Sequence, residues 1–285
     1  MKVLSQVKKD MEFNKGLHSL VEVLKTIAVS EFHILEQKIK TFERFSDTLE
    51  GFFELIDINN ITHPFVNPKG LPAGIVAVTS DKGLLGGLNM QIMTTAASVL
   101  DKSPGKLIII GERGELFVRE RNISAAVFPG IQDAERYSQA MGLRNYLVNE
   151  VLVGKLGAIK IVYPRAISFT IQRVEVMEFL PYTPSGKKDS GAQTEVAPST
   201  IFESHPGDII EYLIYLLMGQ RIYEIFGWSR LAELAARFIH LEESSQKLER
   251  LNKTLRLQYF RIRHELIDRN MRELFAARSL YSHGK

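Results

Sequence analysis

Apolar residues recur at every seventh position near both ends of this chain. Towards the C-terminus, Leu234, Leu241, Leu248, Leu255 and Ile262 fall at sevens, with Leu231, Phe238, Tyr259 and Leu266 three before or four after members of that set. This is the a/d alternation of a coiled coil, sustained over more than four heptads. After Gly207 there is no proline, and only Gly219, Gly227 and Gly284 could interrupt, so one helix is expected over 207–285. Near the N-terminus, counting by sevens from Val7 gives Val7, Asn14, Val21, Ala28, Leu35, Phe42, Leu49 and Ile56, all apolar but one. Leu17, Leu24, Phe45 and Phe52 are expected to fill the alternate positions of that seam. A first helix over 1–58 follows. The two helices, roughly 80 and 110 Å long at 1.5 Å per residue, are expected to pair antiparallel.

Between them the period changes. Ala73–Thr79 is a short, continuous, β-branched run, the mark of a buried parallel strand. Further strands are expected at Lys106–Ile110, Ala125–Phe128, Gly157–Pro164 and Ile167–Leu180, with helices at 90–100, 115–122 and 132–154. Strands alternating with helices give a small Rossmann-like α/β domain over 70–182, with a mainly parallel sheet. Residues 183–206, with Pro184, Ser185, Gly186, Lys187 and Lys188, read as a loop or linker.

Composition narrows the function. With 285 residues, 45% hydrophobic and 24% charged, the chain can bury a sizeable core. It has no cysteine, which removes disulfides, thiolate metal sites and thiol chemistry. No apolar run reaches the roughly 18–20 residues of a membrane span, and the N-terminal stretch lacks the apolar core of a secretory signal, so a cytoplasm-facing protein is expected. The net charge of +3 is uneven. Residues 1–60 carry eight Lys/Arg against ten Asp/Glu, and residues 245–285 carry ten against four. The basic helical end suits an acidic protein surface, nucleic acid or lipid headgroups; it also fits a solvated helix face.

Candidate chemistry is sparse. Ser80-Asp-Lys-Gly-Leu-Leu-Gly-Gly-Leu-Asn89 follows the first strand where a phosphate loop would lie, but it matches neither GxxxxGK[ST] nor GxGxxG. Gly83, Gly86 and Gly87 read as a tight turn, with Ser80 and Asp81 as turn or capping residues. The seven histidines show no metal-ligand spacing, and linear spacing assembles no Ser/His/Asp set. No catalytic, cofactor or metal site is assigned. Ser245 and Asn252 place polar side chains in the C-terminal seam, where such residues fix register.

Together these parts resemble the gamma subunit of F-type rotary ATP synthases over nearly the whole chain. The decapeptide from Ser80 to Asn89 is similar to the family's SDRGLCGGLN, with Lys82 for Arg and Leu85 for Cys. Val23–Ser30 is similar to AMKMVAAS, and Glu233, Ala236 and Arg237 fit SEHAARM. Leu255, Tyr259, Arg263 and Ile267 fall on family positions of the last helix. The chain departs from the family at Glu31, where Lys is usual, and at Phe260, His264, Asp268 and Asn270, where NxARQxxITxE has Asn, Gln, Thr and Glu. These departures mark a divergent member.

The resemblance implies a non-catalytic central stalk, without cofactor, that couples ion-driven rotation to ATP synthesis or hydrolysis. Its implied partners are the alpha and beta subunits of the catalytic ring, the epsilon subunit and the membrane c-ring. Its implied place is the cytoplasmic face of the inner membrane. Lys25, Arg256, Phe260, Arg263, His264 and Ile267 are the implied ring contacts, and Ser80, Asp81, Gly83, Gly86, Gly87 and Asn89 the structural turn. Two alternatives remain: a Rossmann-like nucleotide or phosphate enzyme using the glycine turn, and a coiled-coil adaptor whose basic end binds nucleic acid or lipid.

Overall fold

The computed structural model describes residues 4–39, 52, 63–68, 70–182 and 204–282. The elements, in order, are α1 (Leu4–Ile39), β1 (Ala73–Val78), α2 (Leu88–Lys102), β2 (Gly105–Ile110), α3 (Glu112–Glu120), β3 (Ala125–Phe128), α4 (Arg136–Leu152), β4 (Ile159–Ser168), β5 (Ile171–Leu180) and α5 (Pro206–Ser282). The expected continuation of the first helix over 40–51 and 53–58 lies outside the described residues, as does most of the 183–206 linker. The chain forms two compact units, Val29–Arg237 and Met1–Ala28 with Phe238–Lys285; the division falls inside both α1 and α5.

The first unit holds a five-stranded sheet in the order β3-β2-β1-β4-β5. The first four strands are parallel, and β5 returns antiparallel to β4. All six residues of β1 are buried, as a strand covered on both faces requires. Alternate residues go to opposite faces. Val76, Val78, Ile108 and Ile110 pack with Leu143 and Leu147 of α4 and Ile210, Ile214 and Met218 of α5. Ile75, Ala77, Leu107 and Ile109 pack with Leu88, Ile92 and Met93 of α2 and Val118 of α3. Each such side chain contributes roughly 1.5–3 kcal/mol on burial. β4 runs four residues past its expected end at Pro164. Pairing with β1 stops at Val162, so β4 has β5 as its one sheet neighbour there, and the missing N–H of Pro164 is tolerated.

Two Arg–Tyr pairs set the α4–α5 register. Arg136 Nη2 donates to Tyr223 Oη (2.8 Å) and Arg144 Nη2 to Tyr215 Oη (2.6 Å), eight residues apart on each helix and in opposite directions. Gly219 lies between them; a Cβ there would meet Arg144 Nη1 and Met141 Cε at 2.9 Å.

In the second unit, residues 4–28 of α1 run antiparallel to α5. Asn14 Nδ2 donates to the Leu248 carbonyl (3.1 Å), and Lys25 Nζ meets Glu242 Oε2 (2.5 Å). Val7, Asn14, Val21 and Ala28 are buried, as are Leu241, Ser245 and Leu255. The periodicity of sevens therefore holds, but the alternate positions do not. Leu17 is exposed and Leu24 half-buried; His18 and Lys25, one residue further on, turn inward. Hydrophobicity alone favours the leucines. Ser245 and Glu242 of α5 instead draw His18 and Lys25 into the seam through polar contacts. Phe45 lies outside the described residues, and Phe52 is exposed.

Candidate functional site

The glycine-rich turn sits where an α/β sheet most often binds ligands, outside the carboxyl end of β1. Ser80, Asp81 and Asn89 of this turn spend polar groups on neighbouring elements. The first N–H groups of a helix lack intrahelical partners and attract anions. In α3, those of Glu112, Arg113 and Gly114 are taken by Asp81 Oδ1 (2.9 Å), the Ser80 carbonyl (3.1 Å) and Thr79 Oγ1 (3.0 Å). The Ser80 N–H donates to Asn89 Oδ1 (3.2 Å), and Asn89 Nδ2 donates back to Ser80 Oγ (2.9 Å). Ser80, Asp81 and Asn89 thus come together as a brace between β1, α2 and α3.

The glycines serve it unequally. Gly86 takes φ +57° and needs to be glycine. A Cβ at Gly83 would press the flexible end of Arg113, and one at Gly87 would meet nothing within 4 Å. Leu84, not a glycine, also sits at positive φ, +63°, half-exposed. Gly111, which closes the second strand, is held against backbone: it has φ +97°, and its Cβ would lie 2.5 Å from the Thr79 carbonyl oxygen.

In the same unit a cavity of about 450 Å³ is lined by Glu31, Asp81, Lys82, Asp133, Arg230 and Glu233, among others. Arg230 Nη1 pairs with Glu233 (2.9 Å) and its Nε approaches Asp133 (3.4 Å). Burial pushes the Glu233 carboxyl above the ordinary carboxylate range, against the pull of Arg230 and Arg237. Among the described residues no three His, Asp or Glu side chains gather as metal ligands.

The second unit holds a cluster that linear spacing could not reveal. Ser245 Oγ lies 2.6 Å from Glu22 Oε1 and 3.2 Å from His18 Nε2, and Lys25 Nζ bridges Glu22 (3.1 Å) to Glu242. Ser, His and Glu meet here, but not as a nucleophile triad. In a triad the imidazole stands between hydroxyl and carboxylate; here the hydroxyl stands between the other two. Ser245 is also buried in a helix seam. The Ser245 and Lys25 hydrogen bonds hold Glu22 below the ordinary carboxylate range, and Glu242 holds the Lys25 ammonium up.

The predicted contact residues separate. Lys25 belongs to this seam. Arg256, Phe260, Arg263, His264 and Ile267 are exposed on α5, beyond the last buried seam residue, Leu255. Arg256 lies 6.0 Å from the Phe260 ring centroid, and Tyr259 meets Phe260 edge-on at 5.8 Å. Sequence reasoning missed the outer face of α1. Phe13, Leu20 and Ile27 are exposed at sevens, with Leu17 and Leu24 between them. The signal was a second heptad phase one residue from the first.

The profile of the protein family described as ATP synthase matches residues 3–279. The chain belongs to the gamma family of ATP synthases. Among curated members, the ATP synthase gamma chain of Symbiobacterium thermophilum is 25% identical over 268 residues, covering 91% of this chain and 92% of that one. The gamma chain of Chlorobaculum tepidum is 22% identical over 289 residues, covering 97% and 98%. Of solved structures, the rotor of the Euglena gracilis mitochondrial ATP synthase has the same fold, with a TM-score of 0.68 at 13% identity over 93% of this chain and 98% of that one. The central stalk of the Tetrahymena thermophila enzyme gives 0.60 at 17% identity over 79% and 99%.

Proposed function

We propose that this chain is the central shaft of a rotary ATP synthase, turning inside a ring of alpha and beta subunits. It carries the rotation of a membrane c-ring to catalytic sites it does not itself contain, at the cytoplasmic face of the inner membrane and with an epsilon subunit at its side. One observation carries the reading: α5 continues for more than twenty residues past Leu255 with almost every side chain exposed, both basic and apolar. Arg256, Arg261, Arg263, Arg269, Arg272 and Arg278 alternate there with Leu257, Phe260, Ile267, Met271 and Leu274. A helix bare on all sides is marginal in water unless protein surrounds it. A ring with acidic loops fits both components. Among the described residues no helix is long and apolar enough to cross a membrane, which accords with a peripheral subunit.

Reconstitution tests this. Alpha and beta subunits from the same genome should gain ATPase activity on adding this chain, with the chain bound centrally. A fully active ring that excludes it would end the reading. Within such a complex, Arg263→Ala should lower turnover about ten- to a hundredfold while leaving assembly intact, as loss of a charge-assisted contact of roughly 1.5–3 kcal/mol would. Unchanged turnover would show that Arg263 makes no torque-bearing contact.

A further inference from the structure

In the second unit α1 faces α5 with its less apolar side. Between residues 13 and 28 the inward positions are Asn14, His18, Val21, Lys25 and Ala28; each lies one residue after a larger apolar side chain, namely Phe13, Leu17, Leu20, Leu24 and Ile27. Phe13 is 74% exposed and Leu20 54%, whereas Asn14 is buried. Turning this part of α1 by one residue, about 100°, would carry all five large side chains to the seam. Burial of apolar surface favours that setting. Something directional opposes it.

The opposing contacts form a relay whose hydrogen-bond directions are fixed by proton counting. The ionised Glu22 carboxylate only accepts, and the Lys25 ammonium only donates. Ser245 has one hydroxyl proton, and the 2.6 Å contact gives it to Glu22. The Ser245 oxygen must then accept from His18, so Nε2 of His18 carries a proton. Lys25 closes the run by donating to both Glu22 and Glu242. Asn14 adds a bond to the Leu248 carbonyl. All these bonds need His18, Glu22 and Lys25 at their present azimuth. A 100° turn breaks every one that reaches α5, sparing only the Lys25–Glu22 contact within α1, while the apolar contacts, being non-directional, would survive it.

We propose that the His18–Ser245–Glu22–Lys25 relay sets the rotational position of α1, holding its most apolar face outward. The inference goes beyond the shaft reading, because it concerns the isolated chain and stands whatever covers that face.

The absence of native cysteine gives a direct test. Leu20→Cys and Val21→Cys are made separately, and thiol-reagent rates are measured on the full chain. With the relay intact, the thiol at 20 should react about tenfold or more faster than that at 21, since access governs the rate. Two relay-breaking backgrounds follow: Ser245→Leu, and the triple change His18→Ala, Glu22→Ala, Lys25→Ala. In either, the order of the two rates should reverse while far-UV circular dichroism keeps its native helical signal. A thiol at 20 that stays the faster in folded variants of both backgrounds overturns the proposal. So does loss of helical signal in both, because the relay would then hold the pair together instead of orienting it.

Discussion

The sheet unit buries its large aliphatic side chains, whereas the helical pair leaves several of its own exposed. In the sheet unit, large aliphatic side chains fill both faces; at the strand ends Ser80 bonds Asn89 while Thr79 and Asp81 take N–H groups of α3, and the buried arginines Arg136 and Arg144 are held by tyrosines. In the helical pair, Asn14, His18, Lys25 and Ser245 occupy the seam, while Phe13, Leu20 and Ile27 face out. The first arrangement completes itself within the chain. The second leaves apolar area unspent and uses directional bonds to decide which face is left. A self-contained base and an unfinished shaft are what a subunit needs when only one of its parts is gripped by others.

The largest expected effect tests the contrast in burial. Ile108→Ala, in the middle of the sheet core, should destabilise the chain by about 2–5 kcal/mol in urea unfolding. Leu20→Ala should change the same measurement by no more than about 0.5 kcal/mol, yet weaken incorporation into an alpha/beta ring. Equal losses of stability would show that the outer face of α1 is covered within the chain after all.

Next comes the closed end of the sheet. Asp81→Ala frees the Glu112 N–H and should cost about 1 kcal/mol, the usual value of a lost N-terminal cap. Asp81→Asn, which keeps an acceptor oxygen, should recover most of it. A neutral Asp81→Ala in thermal unfolding would mean the brace is ornamental.

The smallest effect is the pH response of the seam. Glu22 and Glu242 lie below their ordinary value of 4.5, the first chiefly through Ser245 and the second chiefly through Lys25. Their contribution is present above pH 4.5 and fades as pH falls through their lowered values. Lys25, held above its ordinary 10.5 first by Glu242, contributes below that value and ceases to as pH rises through its raised one. Lys25→Met should therefore flatten both limbs of the melting-temperature profile relative to the parent chain. Parallel profiles would remove Lys25 from the account.

The fold was largely legible because its signals are local. A continuous β-branched run such as Ala73–Val78 can be little else than a covered strand, and heptads at Val7–Leu35 and Leu234–Ile262 announce two pairing helices. The glycine turn could be called structural because Lys82 stands on the wrong side of its glycines for a phosphate loop. The azimuth of α1 was not legible. Leu17 and Leu24 look like seam residues, and only the meeting of His18 and Glu22 with Ser245, more than two hundred residues away, shows why they are not. The close approach that Gly111 serves was hidden for a similar reason: the Thr79 carbonyl that forbids it a side chain comes from the end of β1, more than thirty residues away.

Asp81 has one more consequence. Many sheets of this order keep the equivalent mouth open for a visitor's phosphate. Here one such place is taken from within: at the start of α3 the tethered Asp81 carboxylate accepts from the Glu112 N–H at 2.9 Å, and tethering gives it a high effective concentration there. A small anion added to the chain should find that end of α3 already taken.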